Sequence, residues 1–270
     1  MKHYLINPTW RCQNQCSYCW VQRTVRQRPE LYHAQERPWQ DWAAALHRDP
    51  PDIVDVAGGE PFLWEGLADL IRACPHVMFA LSTNGVASAA IQAFCDLSKA
   101  PNLNSINISF HPESEKTIPR YLWHWRTSAL TLMDTGYLVH SNVVDYGDNE
   151  ERAYRIMGQW KAKYILSPYE NMDILKEKQA QGLCCEGGVN HLTVAPDGTA
   201  WPCLSTLRSP YWAETAIGNW LDDTIDLNRK PQPCHIYCID HYILETSHSG
   251  GDMWRVNAHP CEGVDHGKGA

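Results

Sequence analysis

The sequence has no excess of basic residues and no long hydrophobic run. Its 23 Lys and Arg residues are outnumbered by 31 Asp and Glu residues, which gives a net charge of −8. Such a chain lacks the basic surface that attracts nucleic acid or an anionic membrane, so we expect neither partner. No segment reaches the ~20 apolar residues of a membrane span, and the first residues lack the apolar run of a signal peptide. We therefore expect a cytoplasmic protein.

Cysteine, by contrast, is plentiful, with 11 residues in a chain of 270. Cytoplasmic thiols stay reduced, so we expect metal ligands and buried thiols rather than a disulfide framework. Cys12, Cys16 and Cys19 form the pattern C-x-x-x-C-x-x-C. Three thiolates can hold three irons of a [4Fe–4S] cluster, which normally takes four cysteines, and the remaining iron is then open to another ligand. Zinc is the alternative, although a structural zinc site takes four ligands and this loop offers three.

A second motif, Gly58-Gly59-Glu60-Pro61, follows a short apolar strand pattern. Glycines at a strand end let a ligand approach the backbone closely, and the carboxylate that follows can pair with an amine. Together with the cysteine spacing, this motif resembles the radical S-adenosylmethionine (SAM) superfamily. The resemblance implies that the three cysteines bind a [4Fe–4S] cluster, that its open iron binds SAM, and that Glu60 holds the SAM amino group.

The resemblance also implies further contacts with SAM at the ends of the predicted strands. Thr83 stands in a T-N-G segment, and an aromatic residue before the third cysteine is typical of the family. The same segments have a simpler explanation as turns, because Asn-Gly forms turns without any ligand. The predicted cofactor-binding residues are Tyr18, Gly58, Gly59, Glu60, Thr83, Ser109 and Asn142. His111 and Glu113, just beyond a strand, are the candidate catalytic residues, with an exposed loop pair as the alternative.

Short apolar or β-branched segments alternate with helical patterns over the first two thirds of the chain. This alternation predicts parallel strands joined by crossover helices, and six such units predict an α/β partial (β/α)6 barrel. Functional residues are then expected at the carboxyl ends of the strands. The predicted strands are residues 4–7, 52–57, 77–82, 105–110, 137–144 and 164–167, and the predicted helices are residues 39–47, 62–74, 86–97, 118–135 and 149–161.

The pattern changes near residue 180, so we predict a barrel over 1–180 and a small C-terminal domain over 181–270. An Asp197-Gly198 turn signal predicts a β-hairpin. The segment from Cys185 to Cys203 resembles the opening of SPASM and Twitch domains, which carry auxiliary iron–sulfur clusters. The number of ligands favours one auxiliary [4Fe–4S] cluster, and zinc is again the alternative. The predicted ligands are Cys185, Cys203, Cys234 and Cys238, with Cys184 and Cys261 as substitutes.

The resemblance implies an enzyme that cleaves SAM reductively to a 5′-deoxyadenosyl radical and abstracts a substrate hydrogen atom. An auxiliary cluster would accept the electron that remains, or would only stabilise the small domain. We expect oxidation or rearrangement of a small polar metabolite, with modification or crosslinking of a peptide side chain as the alternative. A non-catalytic metal-binding module is an alternative of a different class. The expected electron donor is a one-electron carrier such as flavodoxin or ferredoxin.

Overall fold

A mostly parallel, unclosed nine-stranded sheet organises the fold. The computed structural model describes residues 1–97, 100–159, 165–168, 183–185, 187–226, 232–233 and 258–260. Six strands lie side by side in chain order, each parallel to the next. The α/β class predicted from the alternating pattern is therefore confirmed. These strands are β1 (His3–Ile6), β2 (Ile53–Val56), β3 (Met78–Thr83), β4 (Leu103–Phe110), β5 (Val139–Asp145) and β6 (Ile165–Pro168).

Helices between the strands cover the sheet, and the five longest described helices fall on the predicted segments. In the Trp39–Arg48 helix, for example, Trp42 and Leu46 are one turn apart and buried, whereas His47 is exposed, as an amphipathic helix requires. The helices are α1 (Trp20–Arg23), α2 (Pro29–Tyr32), α3 (Trp39–Arg48), α4 (Leu67–Ala73), α5 (Ser88–Leu97), α6 (Tyr121–Asp134), α7 (Asn149–Gln159), α8 (Leu204–Arg208) and α9 (Trp212–Thr215), with 3₁₀ turns at Val25–Gln27, Pro61–Leu63 and Pro112–Lys116.

The predicted hairpin is present, and it extends the main sheet. Strands β8 (His191–Val194) and β9 (Thr199–Trp201) are antiparallel, and β8 pairs in parallel with β1 on the side opposite β2. Gly198 makes the turn with φ of +94°, a conformation that side chains disfavour. A short strand, β10 (Gly218–Asn219), completes this edge. The hairpin thus lies beside the strand that leads into the cysteine loop, whereas the domain boundary near residue 180 stays a prediction.

A second sheet of three short antiparallel strands lies near the C-terminal cysteines in sequence. The central strand β7 (Leu183–Cys185) pairs with β11 (Gln232–Pro233) on one side and β12 (Ala258–Pro260) on the other. Its register places Cys184 opposite Pro233, the residue before Cys234. Three distant parts of the sequence therefore meet at the two cysteines of β7.

A buried carboxylate fastens the hairpin side of the sheet to the barrel. Asp49, which follows α3 and is 3% exposed, accepts hydrogen bonds from Tyr4 Oη (2.6 Å) and Trp220 Nε1 (3.2 Å). Lys2 Nζ forms an ion pair with the same carboxylate. Tyr4 lies in β1, Lys2 directly precedes it, and Trp220 follows β10, so the Asp49 side chain connects both segments to the end of α3. Within the described ranges, no helix is long and apolar enough to cross a membrane.

Candidate active site

The cysteine loop follows β1 and lies against the Gly-Gly turn that follows β2. Gly59 N donates to Thr9 O (2.9 Å), and Glu60 N donates to Arg11 O (2.7 Å). A Cβ atom built on Gly59 would lie 2.2 Å from Arg11 O, which is closer than real Cβ contacts allow. Glycine is therefore required here by close backbone approach. This contact fixes the chain directly before Cys12.

The three thiols of this loop are free and lie near one another. Cys16 is buried, while Cys12 and Cys19 are partly buried. Burial raises the pKa of Cys12 to about 12, and the charges of Glu60, Cys19 and Cys16 act in the same direction, against a backbone hydrogen bond at Asn14. Three soft donors whose thiolate charges repel one another fit an iron–sulfur cluster, because cationic iron removes that repulsion.

The three thiols, which all lie in a described part of the chain, do not form a site for a single metal ion. Among the residues that the structure describes, no three His, Cys, Asp or Glu side chains converge on one metal-ion position. The loop, whose residues the structure describes throughout, therefore does not close a mononuclear site.

Two polar side chains from neighbouring strand ends contact the thiols. Asn84 Nδ2 lies 3.5 Å from Cys12 Sγ, and Ser114 Oγ lies 3.9 Å from Cys16 Sγ. Hydrogen bonds to cluster sulfurs are among the factors that set a reduction potential. Asn84 belongs to the T-N-G segment noted in the sequence, whereas Ser114 was not singled out, because Ser beyond a strand end carries no specific signal.

Glu60 lies at the centre of the site and is completely buried. Its carboxylate accepts hydrogen bonds from Thr83 Oγ1 (2.7 Å), Asn84 N (2.7 Å) and Phe62 N (3.2 Å). Burial raises the pKa of Glu60 to about 7, although the three hydrogen bonds oppose the rise. The Glu60 carboxylate thus connects the turn after β2 with the end of β3 and the turn that follows it. Glu60 and Thr83, two of the predicted cofactor contacts, are therefore direct neighbours.

Ser109 and Asn142 are brought side by side by the sheet. They are directly paired across β4 and β5, and both are partly buried. Ser109 O accepts a hydrogen bond from Trp125 Nε1 (3.1 Å), so the backbone of β4 is fixed by α6 at this point. The fold therefore places Ser109 near the carboxyl end of β4, as predicted, but Asn142 in the middle of β5 rather than late in the strand.

Tyr18 and His111 contact each other across the site. Tyr18 Oη and His111 Nδ1 are 2.8 Å apart, and the Tyr18 ring lies 5.3 Å from that of Tyr146. Burial raises the pKa of Tyr18 and lowers the pKa of His111 to about 4, so the imidazole is neutral at pH 7. The predicted catalytic His111 and the predicted cofactor contact Tyr18 are therefore direct neighbours.

Glu113, the other predicted catalytic residue, contacts the cysteine loop instead of facing an open cavity. Its two carboxylate oxygens accept hydrogen bonds from Ser17 N (2.9 Å) and Ser17 Oγ (2.8 Å). Ser17 lies between the second and third cysteines of the motif. No local pattern predicts this pair, because the two residues are 96 positions apart in the sequence.

The segment after the cysteine loop packs against the helix that follows Cys203. Arg28 donates to the carbonyl oxygens of Leu207 (2.6 Å) and Ser209 (2.7 Å), at the end of α8. The buried Arg208 guanidinium lies 4.8 Å from the Trp20 ring centroid, and its charge acts to lower the pKa of Cys19, which burial raises. No sequence pattern predicts the placement of Arg208, because a single Arg is usually a surface residue.

Only part of the second predicted ligand set falls within the described residues. Cys203 precedes α8, and its backbone N–H donates to Thr206 Oγ1 (3.3 Å). Gly188 N donates to Pro202 O (3.1 Å), so the chain leaving Cys185 passes beside Cys203. Of Cys184 and Cys185 the structure describes the backbone in β7, and Cys234, Cys238 and Cys261 lie outside the described residues.

Comparison with known proteins gives one family match. A family model described as the Radical SAM superfamily matches residues 6–156, more than half of the chain. Among curated proteins, no sequence relative was found.

Several solved structures share the fold. One is native anSMEcpe with bound AdoMet, with 14% identity, a TM-score of 0.57, and coverage of 82% of this chain and 78% of that one. The form with bound AdoMet and the Cp18Cys peptide aligns with 13% identity and a TM-score of 0.57 over the same shares. SuiB of Streptococcus suis bound to S-adenosylmethionine aligns with 14% identity and a TM-score of 0.54, over 86% of this chain and 62% of SuiB. At these identities the similarity concerns the fold.

Proposed function

The chain belongs to the radical SAM superfamily, and we propose that it is an enzyme that abstracts a hydrogen atom from its substrate with a radical made from SAM. The observation that carries the proposal is the placement of the loop with three free thiols against the buried Glu60: Glu60 N donates to Arg11 O, and Asn84 contacts both the Glu60 carboxylate and Cys12 Sγ. These groups come from the ends of β1 and β2, so the fold joins the two motifs that the sequence keeps about forty residues apart. A non-catalytic module would not need the Glu60 carboxylate beside the thiols.

Cys12, Cys16 and Cys19 would hold a [4Fe–4S] cluster with one open iron. A bound and reduced cluster would supply the one electron that breaks the S–C5′ bond of SAM into methionine and a 5′-deoxyadenosyl radical. The chain's own side chains orient the reactants and exclude water, since a small displacement would quench the radical on the wrong group. The electron would come from a one-electron carrier such as flavodoxin or ferredoxin.

Glu60 would hold the SAM amino group. A carboxylate has about four lone-pair sites, and the three hydrogen bonds it accepts leave room for one further donor. An ammonium group beside the carboxylate would lower the pKa of Glu60 and favour its charged form. The AdoMet-bound anSMEcpe and SuiB structures support a SAM site in this fold. The remaining proposed contacts are Tyr18, Gly58, Gly59, Thr83, Ser109 and Asn142.

His111 is the proposed group for handling substrate protons. Its imidazole is neutral at pH 7 because burial lowers its pKa to about 4, and a neutral ring can accept a hydrogen bond from a substrate hydroxyl. Its Nδ1 atom contacts the Tyr18 hydroxyl, which fixes the ring orientation. Glu113 remains the second candidate for this task, and its carboxylate contacts Ser17.

An auxiliary [4Fe–4S] cluster is the second metal centre that we propose. The register of the small sheet supports it, because β7 carries Cys184 and Cys185, β11 leads into Cys234, and β12 leads into Cys261. The backbone contact between Gly188 and Pro202 adds Cys203 to the same neighbourhood. The proposed ligands are Cys185, Cys203, Cys234 and Cys238.

The proposed substrate is a small polar metabolite that is oxidised or rearranged, as the resemblance to compact Twitch dehydrogenases implies. A peptide side chain is the second candidate. The observation that favours it is the form of anSMEcpe with a bound Cp18Cys peptide, whose fold is similar. Supplying the enzyme and SAM with a metabolite pool or a peptide pool, and measuring substrate-dependent 5′-deoxyadenosine, distinguishes the two classes.

Anaerobic reconstitution followed by incubation with SAM and dithionite tests the radical reaction. We expect 5′-deoxyadenosine from the wild-type protein and none from Cys12→Ala. Cys74→Ala is the matched control, because Cys74 is a free, buried thiol outside the site, and it should retain the product. A reconstituted wild-type protein that forms no 5′-deoxyadenosine would overturn the proposed reaction in favour of a metal-binding module.

Iron analysis tests the auxiliary cluster. Two clusters require about eight iron atoms per chain, and Cys203→Ala should reduce that number to about four. About four iron atoms together with zinc in the wild-type protein would refute the auxiliary cluster.

A further inference from the structure

The segment after β4 holds the cysteine loop through a carboxylate that contacts two donors of one residue. Glu113 Oε2 accepts from Ser17 N at 2.9 Å, and Glu113 Oε1 accepts from Ser17 Oγ at 2.8 Å. A carboxylate that uses both oxygens restricts the rotation of its partner as well as its distance. Because Ser17 follows Cys16 and lies two residues before Cys19, this contact restricts the part of the loop that carries two of the three thiols.

The same segment makes two further contacts with the loop. His111 Nδ1 lies 2.8 Å from Tyr18 Oη, and Ser114 Oγ lies 3.9 Å from Cys16 Sγ. Within residues 111–114, three side chains therefore contact three consecutive residues of the loop, Cys16, Ser17 and Tyr18.

The segment is itself anchored to the helices behind it. His111 N donates to Tyr121 Oη (2.6 Å) in α6, and Arg152 Nη2 in α7 pairs with Glu115 (2.8 Å). Ser114 N donates to His111 O (2.9 Å) within the 3₁₀ turn, and Ile118 N donates to Ser114 O (2.8 Å) just beyond it. The Glu113 carboxylate therefore extends from a fixed base to a loop that has no regular structure of its own between β1 and α1.

We propose that Glu113 is a positioning residue that holds Ser17, and through it the thiols of Cys16 and Cys19, in the arrangement that the cluster requires. The inference rests on the proposed function for the presence of a cluster. Residues that orient metal ligands typically change metal retention 10–100-fold when they are replaced. The two hydrogen bonds hold the Glu113 carboxylate against the cysteine loop, which favours positioning over proton transfer to a substrate.

The test compares reconstituted wild-type protein with Glu113→Ala, Glu113→Gln and Glu115→Ala. Glu115 is the matched control because it lies in the same 3₁₀ turn but pairs with Arg152. Iron release to a chelator is followed under anaerobic conditions, and the EPR spectrum of the reduced cluster is recorded without SAM. Neither readout depends on turnover.

We expect Glu113→Ala to release iron on the order of tenfold faster than wild type and to give a broadened EPR signal. Glu113→Gln retains one oxygen acceptor for Ser17 and should restore part of the retention. Glu115→Ala weakens one anchor behind the segment but keeps both bonds between Glu113 and Ser17, so it should release iron more slowly than Glu113→Ala. Thermal unfolding of the apoproteins shows whether either alanine variant is simply misfolded. If Glu113→Ala does not fold, Ser17→Ala removes the hydroxyl donor at an exposed position and should accelerate iron release more weakly.

The two proposals fail in different ways. Iron release and EPR spectra from folded Glu113→Ala that equal those of wild type would overturn the positioning role. If Glu113→Ala does not fold, a wild-type release rate in Ser17→Ala would overturn it. A wild-type protein that retains its cluster but forms no 5′-deoxyadenosine would overturn the proposed reaction alone, because iron release still measures the role of Glu113.

Discussion

Replacing Gly59 with alanine should destabilise the protein and disturb the thiol site together. The new Cβ atom would lie 2.2 Å from Arg11 O and 2.6 Å from Trp10 C, so it meets backbone atoms that cannot rotate away. Relief requires the two segments to separate by roughly an ångström, since ordinary carbon contacts lie near 3.5 Å. That displacement would break the hydrogen bonds of 2.9 Å and 2.7 Å that join Gly59 and Glu60 to the cysteine loop.

The cost follows from these two effects. Overpacking typically costs 1–3 kcal/mol, and each lost hydrogen bond adds about 0.5–1.5 kcal/mol. We therefore expect Gly59→Ala to lower the free energy of unfolding by about 3 kcal/mol. For a chain of this size that corresponds to a fall in Tm of about 6–12 °C. Since Arg11 directly precedes Cys12, iron incorporation should fall as well.

The assay is thermal unfolding of the apoprotein followed by circular dichroism, with iron content measured after reconstitution. Gly136→Ala provides the control, because Gly136 has φ of +83° and an added Cβ would meet nothing within 4 Å. Gly136→Ala should lower the free energy of unfolding only by the cost of placing alanine in the left-handed region, about 1–2 kcal/mol. It should bind iron like wild type. The reasoning is refuted if Gly59→Ala melts no lower than Gly136→Ala and incorporates iron like wild type.

Further predictions concern four buried titratable or charged side chains. Burial raises the pKa of Glu60 to about 7. The contribution of Glu60 to stability is therefore present below pH 4.5 and is lost as the pH rises through 7. Glu60→Gln should remove that decline in the melting curves of the apoprotein. Burial lowers the pKa of His111 to about 4, so the contribution of His111 to stability is lost as the pH falls from 6.5 through 4. His111→Gln should therefore change the pH dependence of the melting temperature in the direction opposite to Glu60→Gln. Equal pH slopes of the melting temperature in the two variants would contradict this. Asp49→Ala leaves buried hydroxyl and indole donors unpaired and should cost about 3–5 kcal/mol in urea unfolding, against less than about 1 kcal/mol for the exposed Asp52→Ala. Arg208→Met removes a buried cation near the cysteine loop. It should lower the reduction potential of the cluster by on the order of 50 mV in an EPR titration. An unchanged potential would show that the Arg208 charge does not influence the cluster.

The sequence by itself determined the strand ends and the ligand types. Short apolar segments followed by polar or glycine-containing turns located all six parallel strands of the barrel to within a few residues. The reason is local, because strand formation, turn formation and glycine's close approach depend on residues near one another in the chain. The three cysteines and Glu60 could be found in the same way, since each follows a recognisable strand.

Only the tertiary structure decided how those ends are held together. The pairing of β8 with β1, the contact of Glu113 with Ser17 and the placement of Arg208 over Trp20 join residues that lie far apart in the sequence. Glu113 illustrates the difference, because its place beyond a strand end suggests proton chemistry, whereas its contact with Ser17 is visible only in the folded chain. Such contacts depend on the packing of whole elements, and no spacing within the chain encodes them.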